Sequence, residues 1–341
     1  MNGVAHIVRR ARADDPHTLA VLALAEAMRA GSSAATFAGQ GADSVDGVQP
    51  LESLASGGAS LVVYHQRGPA PALVRRLIDR GGAIAVVGDA APLADLALRD
   101  LRALADAGAA GLAVSGRQAE RLTALGFTRV RTVPHVVARK RLVAVGAFEP
   151  AAHHLDVALH APLVLTVDDL VTRENAARVV QAFHVLRTYI ARGGQLAVGV
   201  NETPETSPAA VRAVYREIWG LRLTDAWAQH LRGTGERAAL IRRAAVFVTA
   251  DPVVGDVRHA LAAMAEGVPV IAPADESARD VLGEGALLLP AGAGAELVAE
   301  AVAELLNDDA RRVRFGVAAT RAVARFDPDA VAPVWAEALA S

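Results

Sequence analysis

The sequence of 341 residues contains no cysteine, so it has no thiolate nucleophile, no thiolate metal site and no disulfide framework. Lysine is almost as scarce. Lys140 is the only one among 35 basic residues, and the rest are arginine. A Schiff-base or phosphate-loop lysine is therefore Lys140 or none. Aromatic residues make up 4% of the chain, too few for a stacking platform that would hold single-stranded nucleic acid. Charge of one sign is lacking too. The formal net charge is -2, which removes any global electrostatic reason to expect nucleic acid or an anionic membrane as partner. Long apolar runs are missing as well: Leu19 to Met28 is interrupted by Glu26 and closed by Arg29 and Gly31, short of a membrane span. Met1 to Arg12 has arginines but no apolar core or small-residue cleavage site, so no signal peptide is expected. The expected location is cytoplasmic.

What is present is a 52% hydrophobic chain, much of it alanine, arranged as short apolar strand, turn and amphipathic helix in repetition. Ala5 to Val8, Ser60 to Tyr64, Ala83 to Val87 and Gly111 to Val114 read as strands. Asp15-Pro16 opens a helix that stops at Gly31, and Ser115 and Gly126 are caps for a helix over Gln118 to Leu125. The pattern pauses between Pro134 and Pro162, where Arg139-Lys140-Arg141 reads as a solvated basic triplet in a connector. It restarts with strands at Leu163–Val167, Gln195–Val200, Val246–Thr249, Val268–Ile271 and Ala286–Leu289. Such alternation predicts two doubly wound α/β domains with parallel sheets. Ligands of these sheets sit at the carboxyl ends of the strands, and the natural site is a cleft between the domains.

The second half resembles the nucleotide-binding domain of family-4 glycosyltransferases, which have the GT-B fold. The stretches that carry the resemblance are Arg243-Ala-Ala-Val-Phe-Val-Thr-Ala250, Ala262-Ala-Met-Ala-Glu-Gly-Val-Pro-Val-Ile-Ala272 and Gly283-Glu-Gly-Ala-Leu-Leu-Leu289. It continues weakly in the first half through Leu61 to His65 and Leu112 to Ser115. The implied organisation is an acceptor-side Rossmann-like domain over residues 1–145, joined by a C-terminal helix over 327–341 that crosses back to it. A nucleotide-sugar-side Rossmann-like domain spans 146–326.

A glycosyltransferase must stabilise the charge that grows on a nucleotide diphosphate as the glycosidic bond breaks, and metal-independent GT-B enzymes use cations and a helix N-terminus for this. The resemblance places an Arg and a Lys just after the first strand of the second domain. Anchored on Gln181-Ala-Phe183, those positions hold Asp169 and Glu174, so both signs are reversed. A carboxylate a few ångströms from a diphosphate repels it by several kcal/mol at an effective dielectric of about 20. Anchored on Ala263-Met-Ala265, the family's two donor-binding glutamates fall on Val254 and Ala262, neither of which can hydrogen-bond a sugar through its side chain. Gly255 is retained and would let backbone amides approach a donor. In the first domain, Arg9 to Pro16 has no glycine where the family has a glycine-containing loop, and Gly88 to Pro92 lacks the polar acceptor-side loop.

His65, at the end of a strand, is the candidate acceptor-side base, against the plainer reading of a strand-end histidine bonded to backbone. Arg67 reads as a surface arginine that could meet an anion. Arg258 and His259, in the first turn of the donor-side helix, are the candidate substitutes for the lost phosphate contacts, although surface exposure is the plainer expectation for both. Asp168, Asp169 and Glu174 are weighed as a cation site and set aside, because carboxylates at a helix N-terminus are favoured by the dipole alone; no metal is expected. The resemblance and its losses together imply a non-catalytic glycosyltransferase-like protein that partners or activates an active glycosyltransferase subunit, without a cofactor. The alternatives are an active retaining transferase, for which a nucleotide sugar would be the donor, and a module that binds a glycan or other small ligand.

Overall fold

The computed structural model describes residues 4–10, 16–31, 35–40, 49–50, 59–66, 70–88, 95–140, 158, 160–168, 174–190, 194–200, 206–231, 236–249, 257–274 and 276–340. The chain forms two compact units, one of residues 1–138 with 325–341 and the other of residues 139–324.

The first unit is built on a parallel sheet in the order β3-β2-β1-β4-β5-β6-β7, with β1 Val4–Arg10, β2 Ala35–Gln40, β3 Gln49–Pro50, β4 Leu61–Gln66, β5 Ala83–Gly88, β6 Ala110–Ala113 and β7 Val130–Thr132. Helix α1 (Pro16–Ala30) lies on one face, where Val4, Val8 and Val63 join Leu22, Leu24 and Met28. Helices α2 (Pro71–Arg80), α3 (Asp95–Asp106) and α4 (Gly116–Ala124) cover the other, with Ile7, Val62 and Tyr64 meeting Val74, Leu101 and Leu122. Crossovers therefore change face at β1 and β4, as in a doubly wound sheet. Helix ends are satisfied locally. Ser115 Oγ accepts the Gln118 amide at 3.2 Å while Gln118 Oε1 accepts the Val114 amide at 2.5 Å, a reciprocal cap on α4. The N-terminus of α2 borrows its cap from α3: the Ala70 amide donates to Asp100 at 2.6 Å.

The second unit has the parallel order β10-β9-β8-β11-β12-β13, with β8 Leu163–Asp168, β9 Gln195–Val200, β10 Ala226–His230, β11 Ala244–Val248, β12 Val270–Pro273 and β13 Ala286–Leu289. Helices α5 (Glu174–Val185) with a π-helical extension Leu186–Ile190, α6 (Pro208–Gly220) and α10 (Ala295–Asn307) pack on the face bearing Val164, Val198, Val246 and Val248. Helices α7 (Glu236–Arg243) and α8 (Arg258–Ala265) pack on β11. Short α9 (Glu276–Val281) precedes a 3-10 turn at Gly283–Gly285, and α11 (Asp309–Val323) follows α10. The last helix, α12 (Pro328–Ala340), belongs to the first unit and packs on α1.

The strands expected from sequence are all present, with β9 and β13 at the expected bounds and the others shifted by one or a few residues. Four strands were not anticipated: β2, β3, β7 and β10. Where the basic triplet is described, Arg139 and Lys140 are exposed, and Arg139 Nε also donates to the Ala265 carbonyl at 3.2 Å, at the end of α8. Among the described residues no helix is long and apolar enough to cross a membrane.

Candidate functional site

Of the donor-side positions, Glu174 and Ala262 fall within the described residues of the second unit. The strand β8 ends at Asp168, and α5 begins at Glu174, so a carboxylate-bearing residue occupies the first helical position there. Asp169, Val254 and Gly255 lie outside the described residues, as do Arg67 and Arg141. Ala262 sits in the middle of α8, 1% exposed, with Leu261, Ala263, Met264 and Ala265 buried around it. The position named by the resemblance as a donor-binding glutamate is thus part of an alanine-rich packed helix.

Arg258 and His259 open α8, whose N-cap is Val257 with no side-chain hydrogen bond to the first turn. Contrary to the exposure expected of them, His259 is buried and Arg258 half-buried. The structure adds a cation that sequence reasoning missed. Arg237, in the first turn of α7, is 1% exposed. Because β10, α7 and β11 form a parallel crossover, the start of α7 lies at the same carboxyl edge as the start of α8, and the two helices pack together. Arg237 was invisible in sequence because its burial depends on helix-to-helix packing and not on local pattern. Just past β11, the Thr249 amide donates to the Ile271 carbonyl at 2.9 Å, and its hydroxyl is buried without a hydrogen-bond partner among the described residues. Arg243, at the other end of α7, donates to the Ala158 and Ala161 carbonyls at 2.9 and 2.6 Å; burial lowers its pKa.

Two of the glycines that carried the resemblance, Gly285 and Gly267, have packing roles here, while Gly283, at φ +51°, faces open space. Gly285 has no room for a side chain: a Cβ there would lie 2.5 Å from Met264 Cε and 2.8 Å from Ala322 Cβ. Gly267, at φ +75°, ends α8 and touches α11. A cavity of about 10 Å³ under α5 is lined by Val164, Val179, Phe183, Val248 and neighbouring apolar residues. It has room for one water and no polar group to hold it.

In the first unit, His65 is 3% exposed and its Nε2 is 3.1 Å from Nδ1 of His6. Register explains the pairing: β1 and β4 align His6 with Val63 and Val8 with His65, so the two rings stand on one face, diagonal neighbours. The indole of Trp335 stacks on His65 at 5.9 Å between ring centroids, and its Nε1 donates to the Pro134 carbonyl at 3.0 Å. Burial drops the His6 pKa to about 4. His65 is thus buried against His6 beneath α12; the expectation weighed an acceptor-side base against a strand-end histidine bonded to backbone. Among the described residues no three of His, Asp or Glu come together in a way that would hold a metal ion.

Two parallel, doubly wound Rossmann-like units in one chain, with the last helix returned to the first unit, define a GT-B-type fold. The sequence matches no protein-family model and no curated protein. Solved structures do match over the whole chain. A sucrose-phosphate synthase from Thermosynechococcus elongatus shares 18% identity at a TM-score of 0.66, covering 99% of this chain and 98% of that one. A UDP-forming trehalose-phosphate synthase from Burkholderia xenovorans shares 12% at 0.70, covering 100% and 99%. A UDP-N-acetylglucosamine 2-epimerase from Listeria monocytogenes, described as putative, shares 12% at 0.58, covering 94% of each. At these identities the likeness shows the fold.

Proposed function

We propose that this chain is a glycosyltransferase-like protein of the family-4 type whose donor site has been dismantled, and that it acts as a non-catalytic partner of an active glycosyltransferase. The observation that supports this most is Ala262. At the position of a donor-binding glutamate the helix is apolar, buried and closed over by its neighbours, so no ribose hydroxyl finds an acceptor in that side chain. Glu174 at the start of α5 adds an acid where a diphosphate would use the helix N-terminus. Gly267 and Gly285 meet close neighbours in the second unit, so these two have a packing reason that is independent of a donor.

Calorimetric titration with UDP-, GDP- and dTDP-sugars tests the reading. Binding weaker than about 1 mM, or near -4 kcal/mol, is expected for all of them. Micromolar binding to any one overturns it. Co-purification from the native host tests the partner, and a monomer without a companion counts against it.

A second reading, an active transferase, draws on Arg237 and Arg258, which lie in the first turns of two packed helices at the carboxyl edge. Their guanidinium groups would stand in for the lost pair. It requires the micromolar donor binding just described, together with at least tenfold weakening in Arg258→Ala.

A further inference from the structure

Charge is balanced over the chain as a whole but not over every surface of it. In the second unit, α5 with its π-helical extension leads into β9, and α6 leads into β10. The strands β8, β9 and β10 are parallel neighbours, so both helices finish side by side at the amino-terminal edge of the sheet. Their adjacency is direct. Gln181 Nε2 donates to Glu217 Oε1 at 3.0 Å, and Arg187 pairs with Asp225 at 2.5 Å. Val179, Phe183 and Leu186 share one buried cluster with Val211, Val214 and Ile218.

At this edge the most apolar side chains face water. Tyr189 is 77% exposed, Ile190 41% and Trp219 73%. The exposed stripe of α6 reads Arg212, Arg216, Trp219, spaced i, i+4, i+7 and therefore on one side of the helix. Arg222 follows, also exposed. Glu217 and Asp225 are the acids on α6 and the turn after it, and the second is already paired with Arg187. The end of α10, which packs on the π-helical segment, adds exposed Glu304, Asp308 and Asp309, with Glu304 paired to Arg311 and Asp309 to Arg312. The outer face of α6 is therefore the cationic part of this end, with tryptophan, tyrosine and isoleucine at its tip. Other exposed apolar residues of this unit, Leu297, Val313 and Val317, are aliphatic.

We propose that this end of the second unit docks on an anionic phospholipid surface, with Trp219, Tyr189 and Ile190 entering the headgroup layer and Arg212, Arg216 and Arg222 meeting lipid phosphates. The chemistry favours a bilayer because indole and phenol rings combine an apolar body with a polar edge, and isoleucine supplies the fully apolar part. Guanidinium groups around them supply attraction to the negative surface. The surface also lies opposite the carboxyl ends of the strands, so docking would leave that edge of the unit open. The proposal is independent of the donor-site reading, and its failure leaves that reading untouched.

Sedimentation of the full chain with vesicles of phosphatidylcholine, with and without phosphatidylglycerol, tests it. Binding is expected with the anionic vesicles only, reversed at high ionic strength, with a blue shift of tryptophan fluorescence. Trp335 is buried and Trp227 half-buried in β10, so loss of the shift in Trp219→Ser assigns the signal to Trp219. Arg212→Gln with Arg216→Gln should weaken partitioning about fivefold per arginine. Trp219→Ser with Tyr189→Ser should remove the blue shift and weaken binding further. All four positions are exposed, and circular dichroism would confirm that each variant is folded. No binding to anionic vesicles at low salt overturns the proposal, as does binding that both double variants leave unchanged. A dimer in light scattering that Trp219→Ser dissolves also overturns it, assigning the surface to a second copy.

Discussion

His6 stands in the middle of β1, fully buried, and its Nδ1 faces Nε2 of His65 at 3.1 Å. Its own Nε2 has no hydrogen-bond partner among the described residues. An orphaned N–H in a dry core is costlier than an orphaned lone pair, so the stable tautomer puts the His6 proton on Nδ1, donated to His65, and leaves Nε2 bare. Protonating His6 would create a buried N–H and a charge with no counter-ion, which is why desolvation lowers its pKa from 6.5 to about 4. The linkage sign follows. Below pH 6.5 the unfolded chain takes up a proton that the folded chain refuses, so stability falls as the pH drops. The loss levels off near pH 4, where the folded state also binds the proton. A span of that size corresponds to roughly 3 kcal/mol. His6→Leu should flatten this part of the Tm-versus-pH curve, and an unchanged slope would place the acid sensitivity elsewhere. His65 was legible in the sequence as a strand-end histidine. His6 was not, because nothing local distinguishes a histidine whose partner lies 59 residues away.

At the scale of elements, what the sequence disclosed and what it hid follow from position in the sheet. Interior strands such as β4 (Leu61-Val-Val-Tyr-His-Gln66) and β8 (Leu163-Val-Leu-Thr-Val-Asp168) are covered on both faces and open with three or more consecutive apolar residues. The unanticipated strands are at or next to an edge: β3 is two residues long, β7 three, and β2 (Ala35-Thr-Phe-Ala-Gly-Gln40) lies beside β3. The outermost strand β10 (Ala226-Trp-Ala-Gln-His230) mixes small, aromatic and polar residues. Edges need less apolar surface, and in an alanine-rich chain period-two alternation fades there. The contact between α11 and the turn after α8 was equally hidden. A Cβ on Gly316 would lie 2.3 Å from the Gly267 carbonyl oxygen, a backbone atom that cannot swing aside. In an exposed helix Gly→Ala stabilises by about 1 kcal/mol, but here overpacking should reverse the sign. Gly316→Ala is expected to cost about 1–3 kcal/mol, read by denaturant unfolding. Gly116→Ala, at the open start of α4 where nothing lies within 4 Å, serves as the neutral control. A stabilised Gly316→Ala would show that the two elements separate freely.

The whole molecule separates what a fold determines from what it does not. Structures that share this architecture include synthases and an epimerase, so function must be argued from Ala262, Glu174 and their neighbours and not from the sheets. The architecture does determine a dependence between distant parts of the chain, because the first unit is completed only by residues 325–341. Trp335 is 2% exposed, and Val331 and Ala332 are buried with it against Val8, Leu22 and Met28. The Val137 amide donates to the Phe326 carbonyl at 2.8 Å, and Arg131 to the Ala338 carbonyl at the end of α12. Losing a buried tryptophan alone costs about 3–5 kcal/mol, against a total of about 5–15 kcal/mol for an ordinary domain. Truncation after Ala324 should therefore unfold the first unit, stripping the cover from His6, His65 and their sheet. The second unit's core of Val164, Val198, Val246 and Val302 owes nothing to the removed residues and should persist. Hydrogen exchange by mass spectrometry distinguishes the outcomes: protection lost in β1, β4 and β5 but kept in β8, β9 and β11 is expected. Full protection in both sheets would show that α12 is an accessory, and loss in both would show that neither unit stands alone.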